Sequence, residues 1–257
     1  MIVSWEITIP PLSGDEPRRA YVYLPEEWDE DEQRRYPVLY MFDGQNVFFD
    51  GDATYGKSWG MADFAEYNDL PVIVAAVESN RGAHGERLSE YSPFTVREPG
   101  LGGYVVGCGR TTMEWLVNTF KPYIDENFPT LPDRGHTFIA GSSMGGLMSL
   151  YAVMAYNHVF SRAAALSPSI WFAPRKLDQM LYTSPIEPDT VVYMDYGSRE
   201  LPFHDTMKRR FSKVASILLE RGVMLDCRIV PDGNHNEASW EQQIPFFMST
   251  LLYGVDI

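Results

Sequence analysis

The stretch His136-Thr137-Phe138-Ile139-Ala140-Gly141-Ser142-Ser143-Met144-Gly145-Gly146 decides how this chain is read. A strand-like run, His136 to Ala140, enters it, and a helix-like run, Leu147 to Met154, leaves it. Between them stands Gly-x-Ser-x-Gly with Ser143 at its centre. This is the sequence form of a nucleophile elbow, a sharp strand-to-helix turn that holds a serine hydroxyl clear of a sheet. The spacing has a steric cause. The central residue of such a turn sits in a strained conformation that bulky neighbours would block. Gly141 and Gly145 remove a Cβ on either side, and Gly146 lets the helix pack closely on the strand. Ser143 then stands at a helix N-terminus, where the Met144 N–H points at a developing oxyanion. The competing interpretation, an ordinary strand-to-helix turn with an inert serine, loses ground because strand and helix flank the motif on the correct sides.

On either side of the elbow the chain alternates strands and helices. Val3 to Pro10 and Arg19 to Pro25 alternate apolar and polar residues about the turn Ser13-Gly14-Asp15-Glu16-Pro17, which predicts a β-hairpin at a sheet edge. Glu26 to Arg35 reads as a charged surface loop. Tyr36 to Phe42 and Pro71 to Glu78 are short apolar runs expected as buried strands, with a helix from Ser58 through Tyr67 between them. From Ser79 to about Gly103 a polar, irregular loop is expected, and its part from Arg81 onward could cap the site. Thr111 to Asn127 has helical spacing broken by Pro122, which predicts a kink or break there. Further strands are expected at Arg162–Ser167, Val191–Gly197 and Val223–Val230, with helices over Leu201–Gly222 and Glu237–Tyr253. The pattern implies one α/β domain over residues 1–257, with a mainly parallel sheet covered by helices on both faces. In such sheets chemistry gathers in loops at the carboxyl ends of strands.

Composition narrows the classes of partner. The chain has 257 residues, 35 of them acidic and 21 basic, for a net charge of −14, and this excess of acid argues against a nucleic-acid ligand. No apolar run approaches the length of a membrane span, so no membrane partner is expected. Met1 to Glu6 lacks the basic start and apolar core of a secretory signal, which makes the cytoplasm the expected compartment. Cys108 and Cys227 are expected as free thiols. The composition is compatible with a homo-oligomer.

A serine hydroxyl needs a base within hydrogen-bond reach. Of the five histidines, His136 opens the strand before the elbow, His158 ends a helix, and His84 and His204 lie in polar stretches. His235 alone follows a late strand, in Asp232-Gly233-Asn234-His235-Asn236. It fits the order serine, acid, histidine along the chain. The acid should follow the strand Val191–Gly197. Glu200 is the first choice, Asp205 the second and Asp232 the third, with Asp195 placed inside the strand. The second oxyanion donor should come from the loop after Val38–Phe42, where Gly44 permits close backbone approach. The Gln45 N–H is the candidate, paired with that of Met144. Asn46, Asn80, Arg81 and Trp171 are candidates to line the substrate pocket.

These residues together resemble a family. The carriers are Tyr36 to Gln45, Leu131-Pro132-Asp133-Arg134 before the elbow, Phe160 to Ser169, Gly197-Ser198-Arg199-Glu200, and Gly233-Asn234-His235 followed by Trp240. The chain is similar to the Putative esterase family, which includes esterase D, enterochelin-esterase-like hydrolases and feruloyl or acetyl-xylan esterases. The resemblance implies an α/β-hydrolase fold and a triad of Ser143, Glu200 and His235, with no metal and no cofactor. Many members carry Asp where this chain has Glu200, and the related mycolyltransferases transfer acyl groups to acceptors other than water. The expected activity is serine carboxylesterase action on small-molecule esters, short-acyl or aryl, including acyl groups on carbohydrates. The alternatives are an acyltransferase on the same triad and a non-catalytic binding protein of this fold.

Overall fold

Eight strands form the central sheet of the computed structural model, which describes residues 1–29, 31–82, 86–98, 103–200 and 206–256. The order across the sheet is β1 (Ile2–Ile9), β2 (Gly14–Tyr23), β4 (Ile73–Val77), β3 (Val38–Met41), β7 (Thr137–Ser142), β8 (Arg162–Leu166), β9 (Val191–Gly197) and β10 (Met224–Val230). β1 pairs antiparallel with β2, and β2 antiparallel with β4; every pairing from β4 to β10 is parallel. The expected hairpin therefore forms one edge. Its connection is a single helical turn, α1 (Pro10–Ser13), and the register shifts between Thr8 and Ile9.

The parallel strands β3, β4, β7, β8 and β9 are buried on both faces, as their largely apolar runs require, whereas the edge strand β10 is mostly exposed. Alternate residues part to opposite sides. Val38, Tyr40, Ile139, Val192 and Met194 join one core, and Leu39, Met41, Phe138, Ala140 and Tyr193 join the other. The first core is covered by α4 (Gly109–Trp115), α5 (Lys121–Asn127), α6 (Met144–Ala155), α7 (Pro174–Thr183) and α8 (Met207–Glu220). The second lies beneath α2 (Met61–Tyr67), α9 (Glu237–Glu241) and α10 (Ile244–Leu252).

Several elements depart from expectation for local reasons. The helix around Pro122 stays continuous. Leu116–Phe120 widens to a π turn between α4 and α5, with the Lys121 N–H donating to Leu116 O, and this wider register receives the proline ring and its missing N–H. The C-terminal helix is two helices, because Pro245 starts a new one as an N-terminal residue of α10. α7 lies in a stretch for which no element was expected, and it too starts on a proline, Pro174. The region expected to be irregular holds α3 (Glu86–Glu90) and a separate hairpin of β5 (Val96–Glu98) with β6 (Gly103–Val105). The part of the expected cap at 83–85 and 99–102, with His84, lies outside the described residues. So do the first residues of the expected helix Leu201–Gly222, among them His204 and Asp205. Gly222 follows α8 at φ 81°, the left-handed conformation of a helix stop.

α3 is tied to the hairpin by an ion pair inside the protein. Arg18 Nη1 contacts Glu90 Oε1 at 2.7 Å, with side-chain exposures of 4% and 5%. Removing one member of such a pair strands the other charge, so Arg18→Met should lower unfolding stability by about 3 kcal/mol. Burial holds the Glu90 carboxyl above its ordinary range even beside Arg18. Losing Arg18 raises it further. A carboxyl whose folded pKa is raised favours the fold at acid pH and loses that contribution as pH rises through the folded value. Urea unfolding of Arg18→Met should therefore show a larger deficit against the wild type at pH 8 than at pH 5; an equal deficit at both would exclude this account.

Candidate active site

The elbow forms as its sequence requires. β7 ends at Ser142 and α6 begins at Met144, leaving Ser143 between them at φ 57°, ψ −119°. A non-glycine residue there carries on the order of 1–3 kcal/mol of strain and persists only if its surroundings fix it. They do: the Ser143 N–H donates to Leu166 O at 2.9 Å, and Ser143 O accepts from Leu147 N at 3.1 Å and Ser169 N at 2.9 Å. A Cβ on Gly141 would come within 2.8 Å of the Gly145 backbone, so the turn closes only with glycine there.

The histidine and the acid arrive from neighbouring strand ends. His235 follows β10 and Glu200 follows β9. His235 Nδ1 lies 2.6 Å from Glu200 Oε2. The other carboxylate oxygen, Oε1, accepts from the Ser167 hydroxyl at 2.7 Å and the Gly197 N–H at 3.0 Å. The indole Nε1–H of Trp240 donates to Ser167 Oγ at 3.1 Å, and its ring stands edge-on to the imidazole with centroids 5.1 Å apart. A carboxylate only accepts, so this geometry puts the imidazole proton on Nδ1 and leaves Nε2 as the basic atom.

The other carboxylates considered for the acid role go elsewhere. Asp195 lies inside β9, fully buried, and accepts from the Ser167 N–H and the Tyr193 hydroxyl, both at 3.0 Å. Burial pushes its pKa up to about 7 against those two hydrogen bonds. Asp232 is exposed and pairs with Arg199 at 3.0 Å. Asp205 lies outside the described residues.

The turn after β3 is held from several sides. Asp43 adopts φ 58°, ψ 54°, and its N–H donates to the Tyr91 hydroxyl at 3.0 Å. Both Asp43 carboxylate oxygens receive Arg87, through Nε and Nη2 at 2.6 Å each. Burial works against the Arg87 charge, but the Asp43 carboxylate outweighs it and the guanidinium pKa lies above its ordinary value. The Gln45 amide is occupied by Ser79: its Nε2 donates to Ser79 Oγ at 3.0 Å and its Oε1 accepts the Ser79 N–H at 3.1 Å. No hydrogen bond of the Gln45 N–H is found among the described residues, so this donor is available to a ligand. Gly44 packs on β4, and a Cβ there would fall 2.7 Å from Val77 C. Gly44→Ala must therefore push the turn off the sheet. If the Gln45 N–H holds an oxyanion, ester turnover should fall by about a hundredfold with a native circular dichroism spectrum. Unchanged kcat would remove Gln45 from that role.

Two cavities meet at Ser143 and His235. The first, about 400 Å³, is also lined by Asp43, Gln45, Asn46, Arg87, Glu237 and Trp240, among others. The second, about 360 Å³, adds Ser169, Trp171, Tyr196, Arg199, Glu200 and Asn234. Both are of small-ligand size. Of the residues expected to line a pocket, Asn46 and Trp171 are brought here, one on each side. Asn80 and Arg81 line neither cavity. Arg81 is drawn to Asp52 O at 2.9 Å and Glu78 at 3.3 Å, and Asn80 Oδ1 accepts the Gly82 N–H at 3.0 Å. Sequence reasoning passed over Arg87, Glu237 and Tyr196. Glu237 carried a signal, standing two residues after His235; Arg87, in a polar stretch, carried none. Among the described residues no cluster of side chains suits a metal ion, and no helix is long and apolar enough to cross a membrane.

A mainly parallel sheet with this elbow at the end of β7 is an α/β-hydrolase fold. An IroE-like serine hydrolase from Shewanella oneidensis superposes with a TM-score of 0.78 at 18% identity, covering 100% of this chain and 82% of the other, a likeness of fold. In sequence, residues 13–248 match the family described as Putative esterase, and the chain belongs to that family of carboxylic ester hydrolases. It is 25% identical over 219 residues to the uncharacterized protein YbbA of Bacillus subtilis, covering 81% of each chain. It is 26% identical over 160 residues to a siderophore triacetylfusarinine C esterase of Aspergillus fumigatus, covering 61% of this chain and 53% of the relative.

Proposed function

We propose that the protein is a serine carboxylesterase in which Ser143 is the nucleophile, His235 the general base and Glu200 the orienting acid. One observation carries this reading: a strained, partly exposed serine shares both cavities with a histidine whose Nδ1 is held by a buried carboxylate at 2.6 Å. Ser143 Oγ attacks the ester carbonyl while His235 Nε2 takes its proton. The Gln45 and Met144 N–H groups receive the tetrahedral oxyanion. His235 then passes the proton to the departing alcohol, which leaves an acyl-enzyme. A water molecule, deprotonated by the same nitrogen, attacks the acyl carbonyl and releases the acid.

The substrate is a soluble ester with two small halves, short-acyl or aryl, carbohydrate acyl groups included. Two cavities of modest size on opposite sides of Ser143 support this. Trp171 and Tyr196 in the second cavity favour an aryl group there. The Aspergillus relative is named for hydrolysis of a siderophore ester, and such polyfunctional esters belong in the test set. Residues 1–257 are read as one catalytic domain, supported by strands of a single sheet running from Ile2 to Val230.

The test is hydrolysis across p-nitrophenyl acyl esters, feruloyl sugars, acetylated xylo-oligosaccharides and a siderophore ester, with fluorophosphonate labelling in parallel. Ester turnover together with a single labelled peptide carrying Ser143 supports the reading. Folded protein that neither hydrolyses any of these nor takes the label would refute it.

A further inference from the structure

The mechanism leaves one buried ionisable group of the first cavity without a task. Glu237 is 5% exposed, yet its side chain faces the cavity that Ser143 and Gln45 line. One side chain among the described residues donates to it: Asn46 Nδ2, at 3.2 Å from Oε1. The orientation of that amide is fixed, because Asn46 Oδ1 accepts the Thr54 N–H at 2.9 Å. A carboxylate offers about four acceptor positions, so most of this one's capacity is unused by neighbouring side chains. No cation among the described residues pairs with it. The Arg87 guanidinium lines the same cavity but is spent on both oxygens of Asp43. Burial, with the Asp43 charge adding to it, accordingly raises the Glu237 carboxyl above its ordinary range.

A buried carboxylate held only by neutral donors, the Asn46 amide and its own backbone N–H, is costly and contributes little to the fold. Tying Asn46 would need only an amide oxygen. The ionisable groups lining the cavity are Asp43 and Arg87, which answer each other, His235, whose Nδ1 is held by Glu200, and Glu237, which has no ion-pair partner among the described residues and feels His235 and Arg87 only at a distance. An anionic substrate group is repelled there, and a group bearing hydrogen-bond donors is drawn in.

We propose that Glu237 is the specificity residue of the first cavity, accepting hydrogen bonds from a hydroxyl or ammonium group carried by one half of the ester. This rests on the reading of Ser143 as the nucleophile, since it places that half beside the serine. The other cavity, with Trp171, Tyr196 and Arg199, offers no comparable buried acceptor free of a catalytic partner: its own buried carboxylate, Glu200, is taken by His235 and Ser167.

The experiment compares matched esters by acid release in a pH-stat. On the alcohol side these are ethyl, 2-hydroxyethyl and 3-aminopropyl benzoate. On the acyl side they are methyl butyrate, methyl 3-hydroxybutyrate and methyl 3-aminobutyrate. The wild type should prefer a donor-bearing ester over its plain parent by about tenfold or more in kcat/KM on one side, chiefly through KM. Glu237→Gln keeps an acceptor for Asn46 and removes the charge; Glu237→Leu removes both. If the natural group is an ammonium, both variants should abolish the preference. If it is a hydroxyl, Glu237→Gln should retain part of it and Glu237→Leu none. In either case Glu237→Gln should cost the donor-bearing esters more kcat/KM than it costs their plain parents. A wild type with no preference overturns the proposal, and so does an equal fall for parent and donor-bearing esters in Glu237→Gln, which would mark a purely structural tie to Asn46. Fluorophosphonate labelling of Ser143 in wild type and variants reads the nucleophile separately, so loss of that assignment is distinguishable from loss of this one.

Discussion

Ser143→Ala should lose at least about 10⁴-fold in kcat/KM on every ester the wild type hydrolyses, while folding as well as the wild type. The size follows from the covalent mechanism proposed for Ser143. Without Oγ there is no acyl-enzyme, and His235 is left to activate water directly at a carbonyl that the turn still positions. Oxyanion donors and binding alone sustain only a residue of catalysis in such sites. The fold should survive because alanine keeps the Cβ that Ser143 already accommodates at φ 57°, and the contacts fixing that conformation are all backbone ones, to Leu166, Leu147 and Ser169. Initial rates with short-acyl and aryl p-nitrophenyl esters, alongside a thermal melt, make the check. A well-folded variant that keeps more than a tenth of the wild-type rate would put the nucleophile elsewhere.

What the sequence could reveal and what it could not divides along a physical line. Ser143 and Glu200 were legible as candidates because each follows a strand with a long apolar run, and His235 because it stands in a Gly-Asn loop after the last strand, β10, whose own run is broken by Asp226 and Arg228. A parallel sheet delivers all such strand ends to one edge. Gly44 and Gln45 were legible for the same reason. The contacts that orient them were not. Asn46 meets Glu237 across 191 positions, Gln45 meets Ser79 across 34, and Trp240 reaches Ser167 across 73. No periodicity encodes pairs so far apart. Asn80 and Arg81 illustrate the converse: their place after β4 suggested the pocket, but the carboxylate of Glu78 and the carbonyl of Asp52 lie nearer and claim the guanidinium. Prolines misled in both directions. Pro122 predicted a kink or a break, and the helix instead runs on through a π turn, while Pro245 divides a helix whose apolar spacing runs on without interruption.

Glu200→Gln should lower kcat by about 10³- to 10⁴-fold with little change in KM, and the reason lies in which atoms the amide can satisfy. Oε1 of Glu200 receives two donors, the Ser167 hydroxyl and the Gly197 N–H. In the variant only the amide oxygen can take that place, so the NH₂ must face His235. An NH₂ cannot accept from Nδ1–H. It can only donate to a bare Nδ1, which moves the imidazole proton to Nε2, the atom that the proposed mechanism uses as base. The histidine stays in place and its chemistry is reversed. Ser167→Ala separates this effect from mere loosening of the loop. It removes one donor to Oε1 and the acceptor for the Trp240 indole but leaves the carboxylate charge, so its cost should be far smaller, about tenfold or less. Single-turnover rates with an activated ester, read for both variants, decide the matter. A Glu200→Gln enzyme that turns over like the wild type while Asp205→Asn does not would transfer the acid role to Asp205. If Glu200→Gln and Ser167→Ala fall equally, the carboxylate serves to fix the loop, and its charge plays no part in orienting His235.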